Sequence, residues 1–334
     1  MASETAAGHL DTPENGGHYR PPPFMSNGHV QSLFPALCRR VALRYTRRER
    51  IHTPDGDFLD VDWVVTGSRR LVVLCHGLEG DSHRPYIRGM ARAFRRRGWD
   101  CLALNYRGCS GAPNRRLRSY HSGAYEDLAL AVGHAADTGR YDAVVLTGFS
   151  IGGNIILRWL GRCPDRVHPL VKRAVVFSVP CDLADSARVL ARPQNRIYMR
   201  HFLVALRQKI RDKMAVMPGR IDDSGYEGLK TFKDFDDRYT APINGFTDAL
   251  DYWRQCSSKP VIPGIRIPTL MVQARNDPFL GPNCYPTSAA AANAQVTLDM
   301  PASGGHVGFI AFNASGEYWS ERRALAFVED MGRR

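Results

Sequence analysis

Lysine is scarce in this chain. Of 45 basic side chains only six are Lys, at positions 172, 209, 213, 230, 233 and 259, so nearly all of the formal +12 net charge is Arg. A bias of this kind along the whole length reads as coding preference rather than selection for phosphate contacts. The Arg runs are also short and scattered, as in Arg95-Arg96-Arg97, Arg115-Arg116 and Arg322-Arg323. Nucleic acid is therefore not an expected partner. Cysteine is sparse too, with eight in 334 residues and no C-x-x-C pair. That excludes a disulfide-stapled scaffold and gives zinc-ribbon and thioredoxin readings no support. Cys75 and Cys101 lie within apolar runs, where a thiol behaves as a small core residue. Long apolar runs are missing as well. The uncharged run at the centre of the chain, Ala143 to Leu157, has 15 residues and three glycines, short of the roughly 20 that span a bilayer. Residues 1–22 are rich in Gly, Pro, Glu, His and Thr and hold no apolar signal core. They are expected to form a disordered tail on a reduced, cytoplasmic protein.

What is present is an ordinary globular composition: 44% hydrophobic, 10% aromatic and 23% charged. At this length it suits one large α/β domain with insertions, expected over 23–334. Asp55-Gly56, a type I′ turn dipeptide, separates Arg48–Thr53 from Asp57–Val65. In the second segment Phe58, Asp60, Asp62 and Val64 alternate with Leu59, Val61 and Trp63. That predicts a half-buried antiparallel hairpin at a sheet edge. The segment Phe24 to Pro35 before it has no readable role.

From residue 71 the pattern changes. Continuous apolar runs at 71–75, 100–104, 143–146 and 174–177 alternate with amphipathic stretches at 85–97, 124–136 and 151–160. Such alternation predicts a parallel sheet covered by helices on both faces. It pauses from Leu183 to about Trp253, where a basic amphipathic helix is expected over Ile197–Met214, with Phe202, Leu203, Leu206, Ile210 and Met214 on one stripe. Strands are expected again at 269–272 and 295–298, and a closing helix at about 315–331. A helical insertion late in a parallel sheet is the usual place for a cap.

Gly148-Phe149-Ser150-Ile151-Gly152 follows the third apolar run and opens a helix. In that context G-x-S-x-G predicts a tight strand-to-helix turn that lifts the Ser150 hydroxyl above the sheet. A serine needs a base and a group to orient the base. His306, in Ser303-Gly304-Gly305-His306-Val307-Gly308-Phe309, follows the last predicted strand. Asp277 follows the strand at 269–272 and is favoured as the acid, with Asp182 its rival. The order Ser150, Asp277, His306 places all three after strand ends, where an open α/β sheet keeps its site. The oxyanion donors are assigned as the N–H of Ile151 and, in the His76-Gly77-Leu78 turn, the N–H of Leu78. His76 then shapes its loop, and its spacing to His83 matches no zinc pattern. The Asp-rich run Lys233–Arg238 lacks the glycine and terminal glutamate of a calcium loop, so a capped helix start with internal pairing is expected. Arg107-Gly108 either meets an anionic group of the substrate or braces its own loop.

With those residues located, the chain resembles the YheT-like branch of the α/β-hydrolases, whose relatives include plant embryogenesis-associated proteins and animal abhydrolase-domain proteins acting on phospholipids. The matching stretches are S-N-G-H-V-Q-S-L at 26–33, P-D-G-D-F at 54–58, H-G-L-E-G at 76–80, Y-R-G-C-S-G at 106–111 and Y-H-S-G at 120–123. They continue with G-F-S-I-G-G-N at 148–154, F-D-D at 235–237, S-S-K-P at 257–260, N-D-P-F at 276–279 and G-G-H-V-G-F at 304–309. The resemblance implies a triad of Ser150, Asp277 and His306 and an esterase-type activity with no metal or organic cofactor. One departure is Asn276, where the family pattern usually has Asp.

The leading expectation is a serine hydrolase of small-molecule carboxylic esters, with the cap shaping an acyl pocket. The alternatives are a non-catalytic binding protein on the same fold and a lipid hydrolase docking helix 197–214 on anionic membrane. For that helix a lid packed on the domain is the preferred reading.

Overall fold

The computed structural model describes residues 18–330. Residues 1–17 of the expected tail lie outside them, and its last residues are held in place. Tyr19 is buried, and its hydroxyl lies within hydrogen-bond reach of Gln31 Oε1 (2.7 Å) and the Ile310 carbonyl (3.0 Å). The folded part therefore begins before residue 23.

Eight strands form one sheet: β1 (Arg47–His52), β2 (Phe58–Val64), β3 (Arg70–Cys75), β4 (Asp100–Asn105), β5 (Ala143–Phe149), β6 (Val171–Phe177), β7 (Thr269–Val272) and β8 (Val296–Asp299). Their order is β1-β2-β4-β3-β5-β6-β7-β8. Both contacts of β2 are antiparallel and every other pairing is parallel. Because side chains alternate across a strand, each face carries its own core. Leu71, Val73 and Leu146 point toward α3 (Tyr125–Ala136) and α4 (Ile151–Arg162). Val72, Leu74 and Val145 point toward α2 (Pro85–Arg96) and α10 (Trp319–Glu329). Helices thus cover both faces, as the alternating pattern predicts.

Two expectations for the hairpin are corrected. A type I′ turn needs positive φ at both central residues, and here only Gly56 has it (φ 79°). The connection instead runs over Thr53–Asp57, with Gly56 N–H donating to the Thr53 carbonyl (2.9 Å) and Thr53 N–H to the Asp57 carbonyl (3.1 Å). Pro54 presets the turn and Gly56 supplies the left-handed residue that follows it. Nor is β2 half-exposed, since it lies between β1 and β4 and is buried throughout. Its Asp60 and Asp62 are held by bidentate pairs with Arg50 and Arg48 on the true edge strand, at 2.8–2.9 Å. The alternation marks two buried faces, one of them ionic.

Past β6 the chain leaves the sheet. It forms α5 (Leu183–Leu190), α6 (Arg196–Val216), α7 (Phe232–Phe235), a π-helical turn (Asp236–Thr240), α8 (Ala241–Asn244) and α9 (Ala249–Cys256) before returning at β7. The apolar stripe of α6 is turned inward, with Leu203, Leu206 and Ile210 packed on Tyr226, Phe235 and Tyr239. This is the packed-lid arrangement. The eight cysteines are free, and no described helix is long and apolar enough to cross a membrane.

Candidate active site

Ser150 sits between β5 and α4 with φ 54° and ψ −123°, a backbone that non-glycine residues seldom adopt. The turn is possible only because its neighbours lack side chains. A Cβ on Gly148 would lie 2.7 Å from backbone atoms of Gly152 and Gly153, and one on Gly152 would lie 2.5 Å from the carbonyl oxygens of Cys75 and His76. The G-x-S-x-G spacing is thus a packing requirement, and it holds the strain that points the hydroxyl outward.

Asp277 and His306 lie side by side. The imidazole Nδ1 lies 2.9 Å from Oδ2 and 3.1 Å from Oδ1 of Asp277, whose side chain is fully buried. The rival acid is engaged elsewhere, because Asp182 caps α5 by accepting the Asp185 N–H (2.9 Å). Ser150 and His306 line one cavity of about 130 Å³, together with Leu78 and Ile151. No hydrogen bond joins Ser150 to His306 among the described residues. In unliganded sites this contact is often open and tightens on substrate.

The two assigned oxyanion donors have no acceptor among the described residues. Ile151 is the first residue of α4, where an N–H has no intrahelical partner and carries the positive end of the helix dipole. Around Leu78 the flanking donors are occupied: Gly77 N–H by the Tyr86 hydroxyl (3.0 Å) and Glu79 N–H by the Tyr120 hydroxyl (2.9 Å). His76 shapes this loop, donating from Nδ1 to the Gly77 carbonyl (2.7 Å) and accepting the Tyr106 N–H at Nε2 (3.4 Å). Burial pushes its imidazole down to about 4, so it stays neutral. His83 is turned to Ser82 (3.0 Å).

Arg107 braces its loop. Its buried guanidinium pairs with Asp127, Asp55 and Asp57 at 2.7–3.2 Å. The Asp-rich run begins with a capping box between Thr231 and Asp234, and Lys233 pairs with Asp237 (2.5 Å). Arg238 pairs outside the run, with Asp222 (3.1 Å). Asp236, by contrast, is turned into the cavity.

The segment without a readable role proves to support the histidine. It forms α1 (Gly28–Cys38), capped by the Asn27 side chain. Ser32 Oγ accepts the His306 N–H (2.8 Å) and donates to the Gly28 carbonyl (2.7 Å). Asn276 joins the same assembly, accepting the Gly305 N–H (3.0 Å) and donating to the Ser26 carbonyl (2.7 Å). An amide does here what a carboxylate could not, since it both donates and accepts. The Asn27 cap signal was available in the sequence; the docking of α1 on the histidine loop was not. The cavity also receives Phe279, from the N-D-P-F stretch, and Lys209 and Lys213, which no local motif singles out.

A family model described by its alpha/beta hydrolase fold matches residues 70–311. The chain is 35% identical over 292 residues to YheT of Escherichia coli (strain K12), covering 85% of each. It is 28% identical over 288 residues to a Mus musculus protein named Phospholipase ABHD3, covering 83% of this chain and 69% of that one. Among solved structures, the Pyrococcus furiosus esterase Pf2001 superposes with a TM-score of 0.58 at 17% identity, over 94% of this chain and 100% of that one. At that identity the likeness speaks for the fold alone.

Proposed function

The chain belongs to the α/β-hydrolase family and to its YheT-like branch, and on that premise we propose that it is a serine hydrolase of carboxylic esters. The observation that carries the proposal is the Asp277–His306 hydrogen bond in the cavity whose wall includes the strained Ser150. Ser150 Oγ attacks the acyl carbonyl carbon, and its proton passes to Nε2 of His306. Asp277 holds Nδ1–H, fixing the tautomer and stabilising the imidazolium that forms. The N–H groups of Leu78 and Ile151 receive the oxyanion; one such donor is worth about 3–4 kcal/mol in the transition state. Collapse breaks the ester C–O bond, and the leaving alcohol takes the proton from His306. Water then repeats the sequence on the acyl-enzyme, releasing the carboxylic acid and restoring Ser150. No step requires a metal or organic cofactor.

An apolar acyl chain is the group suited to the cavity, whose walls include Leu183, Leu206, Ile210 and Phe235 from the cap. The inward stripe of α6 supports a small-molecule ester over a membrane-docked substrate. The test is labelling by a fluorophosphonate probe: wild type is expected to label and Ser150→Ala to remain blank. An unlabelled wild type, or equal labelling of both, removes Ser150 from the reaction.

A further inference from the structure

The turn that carries the Leu78 N–H runs from Gly77 to Gly80, closed by the Gly80 N–H donating to the Gly77 carbonyl (3.0 Å). A peptide unit is planar, so whatever fixes the Gly77 carbonyl also aims the Leu78 N–H on the other side of the same plane. Within the loop, His76 Nδ1 and the Gly80 N–H fix that carbonyl. The third residue of the turn is Glu79, with φ 51°. Glycine or asparagine is the ordinary choice where that position has positive φ, and a glutamate there is strained. Strain of this kind persists only where the surroundings hold it.

The hold comes through the Glu79 side chain. Its Oε1 accepts the Tyr120 hydroxyl (2.6 Å), and the same hydroxyl accepts the Glu79 N–H (2.9 Å). Lys209 Nζ lies 3.1 Å from that Oε1 and 4.8 Å from the centre of the Tyr120 ring. The carboxylate side chain is 9% exposed and the lysine 16%, so solvent ions screen the pair little. Lys209 comes from α6. Among the described residues this is the one ion pair that joins the cap segment, from α5 to α9, to the rest of the chain. Two further contacts flank it: Arg84 donates to the Glu79 carbonyl (2.5 Å), and Lys209 donates to Cys109 Sγ (3.0 Å). Leu78, Glu79, Tyr120 and Lys209 line the same cavity as Ser150.

We infer that Lys209 is a positioning residue for the oxyanion hole: reaching from the cap, it holds the Glu79 carboxylate and, through it, the turn that presents the Leu78 N–H. This deepens the ester-hydrolase reading and rests on it. The hole is then complete only with the cap seated. Removing the lysine leaves the apolar walls and the Asp277–His306 pair in place and loosens one oxyanion donor. A donor that matters only as charge develops on the oxygen lowers kcat when it is lost and leaves KM nearly unchanged.

The experiment compares wild type with Lys209→Met, Lys209→Arg, Glu79→Gln and the double variant Lys209→Met/Glu79→Gln on a neutral p-nitrophenyl ester. Rates are referred to sites titrated to completion by a fluorophosphonate, so that only folded protein counts, and the pair is broken from either side in case one variant does not fold. Inhibition by a trifluoromethyl ketone, whose adduct with Ser150 carries an oxyanion, is measured alongside. In Lys209→Met and in Glu79→Gln kcat is expected to fall about tenfold, a part of the hundredfold or more lost with a whole donor. KM should stay within about twofold, and affinity for the ketone should weaken in step with kcat. Lys209→Arg should recover most of both, and the double variant should be no worse than either single one, because the two residues act along one path. An unchanged kcat overturns the inference, as does a raised KM alone, which would mean that Lys209 meets the substrate directly. A loss of kcat with undiminished ketone affinity, or losses that multiply in the double variant, also overturns it. A wild type that does not titrate removes the ester-hydrolase reading instead.

Discussion

Phe279 lies against the imidazole of His306, ring centroids 4.2 Å apart and planes 28° from parallel. The same residue donates its N–H to Oδ1 of Asp277 (2.9 Å), so one residue holds both the base and the acid that orients it. Tyr198 and Phe202 of the cap pack edge-on against the same ring. The orientation of the histidine is therefore coupled to how the cap is seated.

Replacing that ring tests the coupling. Phe279→Leu keeps the N–H and most of the volume but loses the flat face against His306. The expected outcome is a kcat reduced about tenfold, equivalent to roughly 1.4 kcal/mol, with Ser150 still labelled more slowly by the fluorophosphonate. Steady-state kinetics on one ester substrate checks it; an unchanged kcat denies the ring a positioning role.

Ser32→Ala examines the support from α1. The His306 N–H would lose its acceptor in a partly buried place, at a cost of about 1–3 kcal/mol. Thermal unfolding should move to lower temperature and kcat should fall with it, whereas Ser32→Thr should recover much of both.

One chemical change has opposite expected outcomes at two glycines, one in the elbow and one within helix α3. Gly152→Ala pushes a methyl against two carbonyl oxygens that belong to backbone and cannot yield. Loss of soluble, probe-reactive protein is expected. Gly133→Ala in α3 meets nothing within 4 Å, and should raise stability by about 0.5–1 kcal/mol through helix propensity and a less flexible unfolded chain. Denaturant unfolding of the two variants side by side decides it.

Asp236 gives stability a pH dependence of known sign. Burial pushes its carboxyl up from the ordinary 3.8 to about 7, against the opposing effect of its hydrogen bonds with Thr240 and Trp253. The folded protein therefore holds this proton more tightly than the unfolded chain does. Its contribution is fully present below pH 4 and is lost as pH rises toward and through 7, at roughly 1.4 kcal/mol per unit of difference. Asp236→Asn cannot ionise. Its melting temperature should gain on wild type between pH 5 and pH 8; a constant gap over that range would show that the carboxyl does not titrate there.

Much of the architecture was written locally. Apolar runs of four or five residues alternating with amphipathic stretches marked the strands of the parallel sheet and helices α2, α3 and α4 within a few residues of their ends, because strand and helix periodicities are properties of neighbouring residues. The hairpin was legible as a hairpin. Its turn type and burial were not, because the neighbour of β2 on its far side, β4, lies some forty residues later in the chain.

By itself the sequence determined the elbow at Ser150, its glycines, and the candidates Asp277 and His306, since each announces itself by a turn or a position after a strand. Only the tertiary structure decided that Asp277 rather than Asp182 reaches the histidine, that α1 and Phe279 hold it, and that Asp236 and Asn244 share the cavity. Those relations join segments up to nearly three hundred residues apart. They are settled by which surfaces pack together when the sheet closes and the cap folds over it, and no local pattern of residues carries that information.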